Sequence, residues 1–159
     1  MQRTSSLVSV AVMLVVGQAL SPTANAADEH KAMSAAELAW AAAPGSVPKG
    51  AQAAVLYGNP SKDGPFVLRL KLPAGYHIPP HTHPKPELVT VLSGTAQLGE
   101  GGTADKKSTK ALSAGSFFAM PTGMKHYVYA DQEAIIQLNG DGPWGIIYVN
   151  EKDDPRKTQ

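Results

Sequence analysis

The chain has 159 residues, 43% hydrophobic and 17% charged, enough apolar side chain for one packed domain. Its formal net charge of +1 supplies no field for holding nucleic acid or an acidic membrane. Cysteine is absent, which excludes disulfides, thiol catalysis and thiolate metal sites, so any metal must rest on His, Asp, Glu or backbone oxygen.

In chain order, residues 1–26 read as an export signal. Arg3 is the only charge before Asp28, an apolar run extends from Leu7 to Leu20, and Ala24-Asn25-Ala26 forms a cleavage site. The run is shorter than the roughly 20 apolar residues of a membrane span. Removing 26 of the 159 residues leaves a mature chain of 133 from Ala27, expected in the periplasm or secreted, with no membrane contact.

Residues 27–50 read as an N-terminal arm. Ser34-Ala35-Ala36-Glu37 matches a capping box and predicts one or two helical turns in the Ala-rich run to Ala43, ended by Pro44-Gly45. His30, near the start of the mature chain, carries no expected role.

From residue 51 to 150 the texture is β. Short runs fall at Ala53–Tyr57, Phe66–Leu72, Glu87–Leu92, Thr95–Leu98, Ser116–Met120, His126–Tyr129, Ala134–Leu138 and Ile146–Val149, separated by Gly, Pro, Asn and Asp. In Phe66–Leu72, Leu68, Leu70 and Leu72 alternate with Arg69 and Lys71, as a half-buried strand requires. With 15 Gly and 13 Pro favouring turns, this predicts an all-β sandwich or barrel. Gly99 to Ala104 superficially fits G-x-G-x-x-A, but no βαβ unit surrounds it, and it reads as a hairpin loop followed by solvated Lys106, Lys107 and Lys110. Residues 151–159 read as a charged, exposed tail.

Three of the five histidines, His77, His81 and His83, fall within seven residues. His81 and His83 share one face of an extended segment, where two imidazoles can share a metal. Glu87 opens the next apolar run and His126 lies on another predicted strand, so a sheet closed on itself can bring the four together. Pro79, Pro80, Pro84 and Pro86 bracket the pair and stiffen it.

These residues resemble the two motifs of the cupin superfamily. Gly75, His81, His83, Glu87 and Gly94 match every position of the first motif, G-x5-H-x-H-x3-E-x6-G. Gly115, Pro121, Gly123 and His126 match the second, with Ala130 where the motif ends in Asn. The run Gly142-Pro143-Trp144-Gly145-Ile146-Ile147-Tyr148-Val149-Asn150 is similar to the tails of small exported bacterial cupins. The resemblance implies a cupin-type jelly-roll barrel over 51–150 and His81, His83, Glu87 and His126 as ligands of one divalent transition metal. His77 lies outside those positions and reads as a strand-end surface residue; Ala130 removes a supporting hydrogen bond, not a ligand.

Three neutral imidazoles and a carboxylate suit Fe(II) or Mn(II), with Ni(II), Cu(II) and Zn(II) as alternatives, and leave open positions on an octahedral ion. The leading expectation is a metal-dependent enzyme on a small molecule, with O2-dependent dioxygenase-type cleavage first. A non-redox isomerase, lyase or cyclase, and a non-enzymatic periplasmic protein binding a small ligand or a metal, stand beside it. A homodimer is expected, because cupins commonly pair and the Ala35–Ala43 arm and Trp144–Val149 offer apolar surface. Phe117, Phe118, Tyr127, Tyr129, Trp144 and Tyr148 are available to line a pocket, although core positions are the commoner use of aromatics.

Overall fold

Alternation in the run around Leu70 sets the inner face of the molecule. Phe66, Leu68, Leu70 and Leu72 are 0–2% exposed, while Val67, Arg69 and Lys71 between them lie toward solvent. Burying each such side chain stabilises the fold by about 1.5–3 kcal/mol relative to exposure. The computed structural model describes residues 31–157; the expected export signal and His30 lie outside the described residues.

Eleven strands are described: β1 (Ala41–Ala42), β2 (Gln52–Tyr57), β3 (Gly64–Leu72), β4 (Tyr76–Thr82), β5 (Glu87–Ser93), β6 (Thr95–Glu100), β7 (Lys110–Ser113), β8 (Phe117–Met120), β9 (His126–Ala130), β10 (Ala134–Gly142) and β11 (Ile147–Tyr148). They form two antiparallel sheets, ordered β1-β2-β3-β10-β5-β8 and β11-β4-β9-β6-β7. The core lies between them: Leu68, Val89, Val91 and Leu138 from the first sheet meet Ile78, Ala96, Leu98 and Val128 from the second. The fold is the expected all-β jelly-roll.

The chain passes between sheets at sharp corners, and Gly94 shows why the motif needs glycine there. It joins β5 to β6 with φ +69°, and a Cβ on it would lie 2.3 Å from the Glu133 carbonyl oxygen in the β9–β10 corner. Gly75, at the β3–β4 corner, has φ +74° but open space around it.

The structure departs from the sequence reading in four places. The Ala-rich arm is not helical to Ala43: one 3-10 turn spans Ala35–Glu37, and Ala41–Ala42 then pairs with β2. Glu37 does reach back to the Ser34 amide at 2.6 Å, but a run this short has too few turns to propagate, and a sheet edge offers partners for its backbone. Tyr76 and Tyr148 hold the arm by donating to the Pro48 and Ser46 carbonyls. Strands β4 and β7 were not anticipated; Pro79 and Pro80 in β4 argue against a strand by composition.

The tail is not simply exposed. Asp154 is 6% exposed, and Arg156 donates to both of its carboxylate oxygens at 2.7 Å and to the Ile146 carbonyl at 3.1 Å. A forked guanidinium–carboxylate pair satisfies both charges, so a charged composition folds back onto the barrel. Finally, Gly99 and Glu100 belong to β6 rather than to a loop, and Lys106 is not merely solvated: it pairs with Asp131 beside the Tyr129 ring. Of the apolar surface expected for a dimer, Ile146 and Tyr148 are buried within the chain, while Ile147 and Val149 stay exposed.

The two corner glycines differ in what they tolerate. Gly94→Ala should cost about 2–4 kcal/mol, combining left-handed backbone strain with a backbone clash. Gly75→Ala should cost only the conformational part, about 1–2 kcal/mol. Urea midpoints of the two variants check the difference.

Candidate metal centre

The site begins with an irregularity in β4. Tyr76 and Ile78 face the core, and Ile78 pairs with Val128 of β9; the next pairing is His81 with His126. β4 thus spends three residues where β9 spends two, a bulge at Pro79-Pro80 that moves the inward phase from even to odd positions. Without it, His81 would face outward with His77. With it, His81 is 2% exposed and His83, just past the strand, 3%. His126, at the start of β9, is 1% exposed, and Glu87, at the start of β5 in the other sheet, 5%.

The four expected residues converge. One ring nitrogen from each of His81, His83 and His126 lies within 4.8 Å of the other two. Glu87 Oε2 is 3.4 Å from His83 Nε2 and 4.0 Å from His126 Nε2. Each Nδ1 faces a backbone carbonyl: Pro79 at 2.7 Å for His81, Gly145 at 2.8 Å for His83 and Met124 at 3.1 Å for His126. A carbonyl only accepts, so Nδ1 carries the proton and Nε2 keeps its lone pair toward the centre. His83 Nε2 is buried and makes no hydrogen bond, and leaving a buried polar atom unpaired is costly. A cation among these nitrogens would satisfy it. Three neutral imidazoles beside a carboxylate fit a divalent transition metal, and the group could hold one.

Burial dominates the site's electrostatics. It lowers the pKa of His81 well below the usual imidazole value, helped by neighbouring His126 and His83, and lowers those of His83 and His126 as well. It raises that of Glu87, against the pull of His126 and a hydrogen bond from Trp144. That bond, Trp144 Nε1–H to Glu87 Oε1 at 2.8 Å, had no signal in the motif spacing. Neither did the three carbonyls, which any residue type supplies.

The remaining sequence candidates sort themselves. His77 is not a plain surface residue: it lies on the outer face of β4, stacked on Tyr129 with ring centres 4.1 Å apart and planes at 6°. Ala130 is 1% exposed in the core, paired with Tyr76. Phe118 and Trp144 line the cavity over the four residues, with Leu70, Ile78, Leu138 and Ile146. The cavity is small, about 20 Å³, where one water requires on the order of 10–15 Å³.

The family model described as a domain of unknown function, DUF4437, matches residues 15–147. Germin-like protein 5-1 of Oryza sativa subsp. japonica is 38% identical over 104 residues, 65% of this chain and 43% of that protein. The chain thus spans less than half the length of the curated relatives it matches. An RmlC-like cupin from Shewanella frigidimarina aligns with a TM-score of 0.56 at 18% identity, covering 71% of this chain and 90% of that one. The polyketide cyclase RemF from Streptomyces resistomycificus aligns with a TM-score of 0.60 at 19% identity, covering 80% and 90%. At such identities the likeness is one of fold, and the fold is that of the cupins.

The lowered imidazoles make the metal-free protein acid-sensitive. An unfolded chain protonates His near pH 6.5, and the folded site accepts those protons only at lower pH. Between the two values the unfolded state binds more protons, so stability falls as pH falls. Glu87 acts oppositely, since its folded pKa is raised, but three imidazoles outweigh one carboxyl. The unfolding free energy of the metal-free protein, read from urea titrations, should fall between pH 7 and 5.5, by at most about 1.4 kcal/mol per pH unit for each group, and His81→Phe should make the fall shallower.

Proposed function

The chain belongs to the DUF4437 family, whose name assigns no chemistry, and from its cupin fold and buried centre we propose a metal-dependent oxidoreductase that brings O2 to a small neutral substrate. His81, His83 and His126, through Nε2, and Glu87 would hold the ion, Fe(II) or Mn(II) first and Ni(II), Cu(II) or Zn(II) as alternatives. Such an ion, when bound, supplies open coordination positions and, for iron or manganese, a redox couple.

One observation carries this reading: beyond the four ligands and Trp144, the cavity is lined only by aliphatic and phenyl side chains. Among the described residues that line it there is no Lys or Arg to pair with an anionic substrate, and the apolar wall suits a neutral one. The carbonyl-held imidazoles keep their tautomers fixed. Apolar walls suit an apolar co-reactant such as O2.

A second reading has its own support. The three histidines alone could hold a metal without Glu87, and a carboxyl raised by burial is suited to act as an acid or base. In that arrangement Glu87 is a proton carrier and the reaction a non-redox cyclisation or elimination. A protein that binds metal and turns nothing over is the third. We also propose that export delivers the mature chain to the periplasm or medium, and that it pairs as a homodimer; exposed Leu88, Leu92 and Phe117 support an apolar contact.

Metal titration and O2 uptake separate these readings. His81→Ala and His126→Ala should each weaken binding by more than the 10–100-fold typical of losing an outer partner, and His77→Ala should leave it unchanged. Glu87→Gln should weaken binding with the barrel folded; unchanged affinity with lost turnover would favour the proton-carrier reading. Iron-loaded protein that consumes no O2 with small phenols or alcohols would overturn the leading proposal. Intact-mass analysis of the envelope fraction should find a chain beginning at Ala27; a retained Met1 would reject export with cleavage.

A further inference from the structure

We propose that Trp144 is the positioning residue of this centre and the door to its cavity, holding Glu87 to a single oxygen toward the histidines. The inference rests on the metal reading above.

The indole N–H donates to Glu87 Oε1 at 2.8 Å. The other oxygen, Oε2, is the one that lies 3.4 Å from His83 Nε2 and 4.0 Å from His126 Nε2. A carboxylate with one oxygen engaged by a donor presents the other, so Glu87 is set to bind a cation through one atom. The same indole ring stacks on His83, with centres 5.7 Å apart and planes at 19°, and is backed by Phe66 at 6.4 Å. Its backbone N–H is held by the Pro60 carbonyl at 2.6 Å. The next residue, Gly145, supplies the carbonyl for His83 Nδ1. Two adjacent residues therefore orient two of the four ligands.

Burial identifies the door. Every other residue lining the cavity is buried, the aliphatic wall and the histidines alike; Trp144 alone is only partly so. On this burial pattern the indole is where solvent comes nearest the cavity, which makes it the place for a door. Because the ring that closes this way also carries the N–H, swinging it aside releases Glu87 Oε1 in the same movement. Access to the centre and the geometry of its carboxylate are one coordinate.

The test is Co(II) uptake followed by visible absorption, with azide as a probe of access. Trp144→Phe keeps a ring against His83 and removes the donor. It should bind Co(II) about tenfold or more weakly, with weaker visible bands as the second carboxylate oxygen joins the ion. Trp144→Ala should add at least a tenfold faster azide association over Trp144→Phe. Trp144→Phe with the affinity and spectrum of the wild type would show that the ring merely packs and overturn the positioning role. Azide rates equal in all three proteins would overturn the door. Wild type that takes up no Co(II) would instead overturn the metal reading and this inference with it.

Should either variant fail to fold, the wild type itself decides. With two tryptophans in the chain, Trp40→Phe assigns the indole N–H resonance of Trp144. That proton should exchange slowly with solvent and shift on Zn(II) loading; fast exchange, or no shift on a Zn(II)-loaded protein, would overturn the proposal.

Discussion

One additional residue in β4 decides where the chemistry can occur. Inward positions on a regular strand keep one parity, and Tyr76 and Ile78 set it as even. His77 and His81 are both odd, so a regular β4 would give both the face away from the core. The bulge between Ile78 and His81 reverses the phase in the middle of the histidine cluster. It leaves His77 outside on Tyr129 and delivers His81 to the side where His126 waits. Proline suits the place, because Pro79 and Pro80 have no amide proton for the interrupted ladder to leave unpaired.

Everything downstream builds on that phase change. With both strands β4 and β9 aiming imidazoles into the interior, burial lowers their pKa values, and the carbonyls of Pro79, Met124 and Gly145 favour the proton on Nδ1. Two of those carbonyls lie two residues before the imidazole they engage, so the tautomer is set locally, by the chain leading into the histidine. The third comes from the segment before β11 and ties His83, which sits outside any strand, to the opposite wall. Glu87 belongs to the other sheet, so its approach to the histidines depends on how the two sheets pack. At the other end of β5, Gly94 passes close to the Glu133 carbonyl where the chain crosses from one sheet to the other.

Much of this was visible in the amino-acid sequence, and the limits are physical. The Phe66–Leu72 alternation showed the core face because a half-buried strand repeats every two residues. Motif spacing named His81, His83, Glu87 and His126 because each spacing encodes a corner or a strand length, and the structure brings those four together. The same spacing was silent about β4, since its prolines lower strand propensity and only pairing with β9 and β11 overrides it. It was silent about the carbonyl partners, which carry no side-chain identity. Trp144 stands among the aromatics and in the Gly142–Asn150 run, but its bond to Glu87 was not legible, because it spans 57 residues. The tail misled for a different reason: Asp154 and Arg156 read as solvated charges one by one, and only as a forked pair do they become a clip.

That clip ties distant genetics to the centre. Arg156 grips the carbonyl of Ile146, in the stretch that also supplies Trp144 to Glu87 and Gly145 to His83. A nonsense codon shortly after Asn150 would leave the codons of His81, His83, Glu87 and His126 intact and yet cut the brace of that stretch. Truncation there is therefore not a harmless trimming of an end, and a fusion partner is better joined with the Asp154–Arg156 pair left whole.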